Sequence, residues 1–292
     1  MSWRVTLGCN RSQAAAIPDP AEVFDEPVPV LVTEEPDPAK PDKWVLHAYF
    51  EREPGSADLD RLSGLGSGKI HVEKLGEADW VTMSQSGLQP IRAGRFFVHT
   101  PMYRERPPGT VAFEIDAGLA FGTGQHATTG GCLEALDRLE SGGARFTNIA
   151  DIGTGTGLLA FAALALWPEA KCIATDIDPV AVGVARENAA INSVQLGHDA
   201  GQLLLAVADG MDSPMLAARA PFDLIIANIL AGPLIELAAD FAKALMPGGV
   251  VILAGLLDTQ AASVASAYER HGLIPSSRSF GEWPVLVCER HG

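Results

Sequence analysis

The stretch IADIGTGTGLLAF, Ile149 to Phe161, decides the fold of this chain. Its first four residues, three of them apolar around Asp151, make a segment short enough for a buried strand, and LLAFAALAL from Leu158 reads as an apolar helix. Between them stand Gly153, Gly155 and Gly157. Glycines at a strand-to-helix turn admit positive φ and let a ligand touch the backbone, while the helix start offers free N–H groups.

The segments downstream repeat the strand and helix alternation. Strands are expected at Asn148 to Asp151, Cys172 to Asp176, Leu203 to Val207, Leu224 to Asn228 and Val250 to Ala254. Helices are expected at Gly157 to Leu166, Pro179 to Asn192, Leu230 to Leu245 and Thr259 to His271, with closing strands at Leu273 to Phe280 and Val285 to Cys288. Apolar strands joined by crossover helices predict a doubly wound, seven-stranded α/β sheet of the Rossmann-like kind.

The first hundred residues have a different texture. Strands are expected at Trp3 to Leu7, Val28 to Val32, Lys43 to Phe50 and Lys69 to Leu75, with helices at Ser12 to Val23 and at Ser56 to Leu65, the second capped by Ser56. The order βαββαβ is that of a smaller α+β, ferredoxin-like sandwich. Asp79 to Gln89 reads as a polar connecting helix, Phe96 to His99 as a strand, and Arg104 to Gly109 as a loop. No residue cluster in the first domain resembles a catalytic site, so the expected organisation is a recognition domain, or a scaffold, at 1–78, a linker at 79–108 and the α/β domain at 109–292.

A chain of 292 residues buries a sizeable core without disulfides or metal, and 47% hydrophobic with 20% charged residues is ordinary globular usage. The longest apolar run, Leu158 to Trp167, is about half of what crosses a bilayer, and MSWRVTLGCN has no signal-like apolar stretch. The four cysteines form no CxxC pair, so neither a disulfide framework nor a zinc site is expected, and a reducing cytoplasm fits. Net charge is −15, with 12 basic against 16 acidic side chains in residues 1–108 and 9 against 20 in residues 109–292. So acidic a C-terminal part disfavours direct nucleic-acid binding and suits a cationic partner.

The chemistry follows from the strand ends. The sixth position of a GxGxxG dinucleotide fingerprint falls on Leu158, and GK[ST] is absent, which disfavours NAD and a phosphate loop. Asp176 ends the second strand, where a carboxylate accepts both hydrogen bonds of a ribose diol; Asp178 before Pro179 is the helix cap instead. Ile177 is counted with the same site. Asp209 follows the third strand and is placed to accept from an adenine amino group, or to serve as a surface turn aspartate beside Gly210. With Asp151 and the three glycines these residues make a site for an adenosine without phosphates, and S-adenosylmethionine fits best. Asn228 in DLIIANILAGPL offers a side-chain oxygen to an amine. It begins NIL, not the NPPY of enzymes whose aromatic residue stacks on a planar substrate.

Upstream, AFGTGQHATT, Ala120 to Thr129, precedes a helix and adds Phe121 as a cover for the adenosine, Thr129 as a contact to the methionine end and His126 as a candidate proton acceptor. This segment, DIGTGTG (Asp151 to Gly157), DIDPVAV (Asp176 to Val182) followed by RENAAIN, and NILAGPL (Asn228 to Leu234) together resemble the ribosomal protein L11 methyltransferases, the PrmA family. The resemblance covers about residues 111 to 290 and is looser before that, carried mainly by DWVTMSQSGLQPIRAG (Asp79 to Gly94). It implies a two-domain enzyme using S-adenosylmethionine, whose N-terminal domain grips ribosomal protein L11 and whose C-terminal domain methylates lysine and N-terminal amines; a monomer is the default expectation. It also implies that Thr129, Gly153, Asp176 and Asn228 hold the cofactor. The alternatives are a methyltransferase for another protein or for RNA, and a non-catalytic adaptor.

Overall fold

The computed structural model describes residues 2–15, 17–18, 20–25, 27–34, 43–75, 90–101, 103, 106–115, 126–278 and 283–291. The chain divides into two compact units, Met1–Gly87 and Leu88–Gly292.

The first unit carries β1 (Ser2–Cys9), α1 (Arg11–Ala15), α2 (Pro20–Val23), β2 (Val30–Glu34), β3 (Trp44–Phe50), α3 (Ser56–Ser63) and β4 (Ser67–Leu75). Its sheet runs β2-β3-β1-β4 with every neighbour antiparallel, which is the ferredoxin-like arrangement expected. Strand alternation sends Val5, Leu7, Leu46, Ala48 and Phe50 to one face, where they pack with Leu62 of α3 and Ala14 of α1. Each buried valine, leucine or phenylalanine among them contributes about 1.5–3 kcal/mol.

Three local expectations need correction here. The stretch read as one helix from Ser12 to Val23 is two short helices, because Pro18 and Pro20 lack the amides a continuous helix requires. The strand expected at Val28 starts at Val30, after Pro29. Gly55, not Ser56, is the cap of α3, and the Asp58 carboxylate accepts from the Gly55 amide at 2.8 Å. The connecting helix expected at 79–89 lies outside the described residues.

The second unit opens with a small sheet of β5 (Ile91–Ala93), β6 (Phe96–His99) and β7 (Val111–Glu114). The sequence reading passes over β5, which has only three residues. Ala93, Phe96, Val98 and Phe113 pack against Leu133 and Leu136 of α4 (His126–Ser141). Arg95, in the turn between β5 and β6, pairs with Asp137 and Glu140 of that helix.

The large sheet follows: β8 (Asn148–Ile152), α5 (Leu158–Leu166), β9 (Lys171–Asp176), α6 (Pro179–Ile191), β10 (Leu203–Val207), α7 (Pro214–Arg219) and β11 (Phe222–Asn228). It is completed by α8 (Ala231–Glu236), α9 (Ala238–Ala244), β12 (Leu245–Ala254), α10 (Asp258–Glu269), β13 (Leu273–Arg278) and β14 (Leu286–Arg290). The strand order is β10-β9-β8-β11-β12-β14-β13, with β8 to β12 parallel and β14 antiparallel to both neighbours. Each face is covered by its own apolar cluster, so the central strands carry apolar side chains on both faces. The helix expected from Leu230 to Leu245 is divided at Leu237, whose side chain packs against Gly210.

Strand order reverses between β8 and β11, the place where open α/β sheets bind ligands outside the carboxyl ends of the strands. The opposite ends are locked by Asp223. Its carboxylate accepts from the amides of Thr147 at 2.6 Å and Asn148 at 3.0 Å, and from the Thr147 hydroxyl at 2.8 Å. All four cysteines are free and buried, and burial raises each thiol, that of Cys288 to about 12.

Candidate active site

The turn after β8 is shaped by three glycines in the left-handed region, Gly153 at φ 75°, Gly155 at 55° and Gly157 at 86°. Side chains there are strained, and a Cβ on Gly153 would lie 2.2 Å from Cγ2 of Ile229. Neighbouring backbone holds the turn, since the carbonyl of Thr175 accepts from both Gly153 and Thr154 at 2.8 and 2.9 Å.

Asp176 adds to this support. One of its oxygens accepts from the Gly155 amide at 2.8 Å and the other from Asp178 at 3.0 Å. Asp178 caps α6 by accepting from Val180 at 2.8 Å, the role assigned to it from sequence, and this leaves Asp176 facing the cleft.

A cleft of about 650 Å³ opens over the switch point. Gly153, Gly155, Asp176, Ile177 and Asp209 all line it, so five of the expected site residues converge on one cavity. Ile177 is 65% exposed there, and Asp209 is exposed beside Gly210, in a bridge with Asp212. Ile229 lines it too, as do Leu230, Pro233, Glu236, Leu237 and Asp240, which the sequence reading did not assign to the site. The signal available was position: these residues directly follow the Asn228 strand end.

Asp151 lies beneath the loop, not in the cleft wall, and is fully buried. Its Oδ2 accepts from the Thr154 hydroxyl at 2.6 Å and the Ala160 amide at 3.2 Å, while Oδ1 has no partner. Burial pushes its carboxyl up to about 7. Gly157 also sits behind the turn, against the ring of Phe161. Asn228 ends β11 next to Ile229, and its Nδ2 donates to Thr129 Oγ1 of α4 at 3.4 Å. Two residues 99 positions apart thus meet at the strand end that leads into Ile229 of the cleft wall, and neither of them lines the cleft itself. His126 is the first residue of α4, its side chain outside the described residues, and Phe121 also lies outside them.

A seven-stranded sheet with its fourth and fifth strands parallel, a reversed strand between the sixth and fifth, and a glycine turn at the switch point defines a methyltransferase fold. A solved structure of ribosomal protein L11 methylase from Lactobacillus delbrueckii subsp. bulgaricus shares it, at 27% identity and a TM-score of 0.59 over 70% of this chain and 99% of that one. Among curated proteins, a ribosomal protein L11 methyltransferase of Brucella suis is 45% identical over 250 residues, 85% of each chain. One of Rhizobium etli is 42% identical over 272 residues, 91% of this chain and 90% of its own. The family model described as "Ribosomal protein L11 methyltransferase (PrmA)" matches residues 6–291, and the chain belongs to that family.

Proposed function

We propose that this methyltransferase moves methyl groups from S-adenosylmethionine to lysine side-chain and N-terminal amino groups of ribosomal protein L11. The observation that carries the reading is the convergence of Gly153, Gly155, Asp176 and Asp209 on one cleft beside the Asn228–Thr129 pair. The relatives at 42–45% identity are named for that substrate.

The cleft suits an uncharged nucleoside carrying a cationic tail. Asp176 and Asp209 are acceptors for a ribose diol and an adenine amino group, and Ile177, Val180 and Leu230 offer apolar contact. The glycine turn allows close approach of backbone without the lysine a phosphate chain would need. When bound, the cofactor supplies a methyl group already activated on a sulfonium. Gly153 and Asp176 hold it, with Thr129 at its methionine end, and Asn228 orients the acceptor amine.

A lysine amine of pKa about 10.4 loses its proton before attack, at a cost of about 4.6 kcal/mol at pH 7. Placement and exclusion of water account for the remaining barrier, so no strong general base is required. His126 is the candidate acceptor for the released proton. We assign grip on L11 to the domain at 1–78 and catalysis to the domain at 109–292. The acidic balance of the latter draws a cationic protein in preference to nucleic acid. The enzyme acts as a cytoplasmic monomer in this reading.

Transfer of radiolabel from S-adenosylmethionine to unmodified bacterial ribosomal proteins, resolved by mass and mapped to peptides, tests it. Label on L11 lysines or its N-terminus is expected. Label on another protein or on RNA would keep the reaction and overturn the substrate.

A further inference from the structure

Asp151 stands two residues before Gly153, at the base of the cradle, with no exposure to solvent. One carboxyl oxygen holds Thr154 and Ala160, and the other has no partner. Among the described residues no cation pairs with it. The titratable groups facing it are Cys132 of α4 and Cys172 and Asp176 of β9; α5 contributes none, and β11 sets Ile226 opposite it. Asp176 is itself acidic and both thiols are held protonated by burial, so among the described residues nothing around Asp151 balances a negative charge. Such a carboxyl keeps its proton until a positive charge arrives.

We propose that Asp151 is the internal counter-charge of the cofactor cradle: it carries a proton in the free protein at mildly acidic pH and releases it to solvent when a cationic ligand seats on the glycine loop. This rests on the reading of the cleft as the S-adenosylmethionine site. Thr154 and Ala160 keep their acceptor in both states, because Oδ2 serves them and the proton resides on Oδ1. The proton moves and the loop does not. Affinity for the cation consequently rises with pH, about tenfold between pH 6 and pH 8 for a group titrating near 7.

Calorimetry of S-adenosylmethionine binding in buffers of different ionisation enthalpy reads the protons directly. At pH 6 the cofactor's own amino group, near 7.7–8.0, is fully protonated and contributes nothing. Release of about 0.9 proton per cofactor is expected from the wild type, falling toward zero at pH 8.5. Asp151→Asn should release none at pH 6 and lose the rise in affinity that Asp151 contributes between pH 6 and pH 7, below the range where the cofactor's amino group titrates. Equal proton release by wild type and variant, or none by the wild type, would overturn the proposal. The wild-type pH series decides it alone if the variant does not fold, and failure of the wild type to bind the cofactor would instead remove the underlying reading.

Discussion

Asp176 reaches across from the end of β9 to take the amide of Gly155 at 2.8 Å, so the carboxylate expected to bind a ribose is also a brace of the loop that the ligand would touch. Its other oxygen takes the Asp178 amide at 3.0 Å. Both contacts leave further lone pairs available, which is why one residue serves two ends.

Asp176→Ala removes the brace and the ribose acceptor together. Loss of a charged acceptor costs about 1.5–3 kcal/mol, so cofactor affinity should fall by one to two orders of magnitude, measured by titration calorimetry. Asp176→Asn keeps one acceptor oxygen and should recover part of the loss. Wild-type affinity in the alanine variant would remove Asp176 from the site.

Gly153→Ala meets Cγ2 of Ile229 at 2.2 Å and sits at φ 75°. The backbone term alone costs about 1–2 kcal/mol, and Ile229 must move within the cleft wall. Denaturant titration should show that loss of stability, with cofactor binding weakened beside it. A fully stable variant with unchanged binding would contradict the loop geometry.

Asp151 makes stability depend on pH. The unfolded chain ionises this residue near 4, whereas the fold keeps its proton up to about 7, so the native state binds more protons in that window. Wild-type stability relative to Asp151→Asn should therefore fall as pH rises from about 4 to 7 and level off above. Urea midpoints across pH 5 to 8 check it, and a parallel pair of curves would refute it.

Asp223→Ala should destabilise by about 2–4 kcal/mol, because it leaves the Thr147 and Asn148 amides and the Thr147 hydroxyl without their acceptor. It stands at the end of the sheet remote from the cleft. Cofactor affinity of the folded variant, measured below its melting temperature, should match wild type.

The alternation of strands and helices in the large sheet was legible because its strands are largely apolar runs and its helices fill the gaps between them, whereas the strand order came from the structure. Asp178 was legible as a cap because Pro179 follows it, and that assignment freed Asp176 for the cleft. Short and locally ambiguous features were not legible: β5 is three residues, and Gly55 caps α3 through a side chain three positions on. The pairing of Thr129 with Asn228 is invisible to any local reading, since sheet topology alone brings residues 99 apart together. The burial of Asp151 was also missed, as a motif aspartate looks the same whether it touches ligand or supports the loop from below.

The sealing of every thiol turns the cysteines into built-in reporters of breathing. Cys9 lies in the first unit, and Cys132, Cys172 and Cys288 lie in the second. A thiol reagent finds no target on the intact chain, so each adduct records an opening event, and peptide mapping tells which unit opened. Cofactor present during labelling should slow Cys132 and Cys172, which flank Asp151, and leave Cys9 at its own pace.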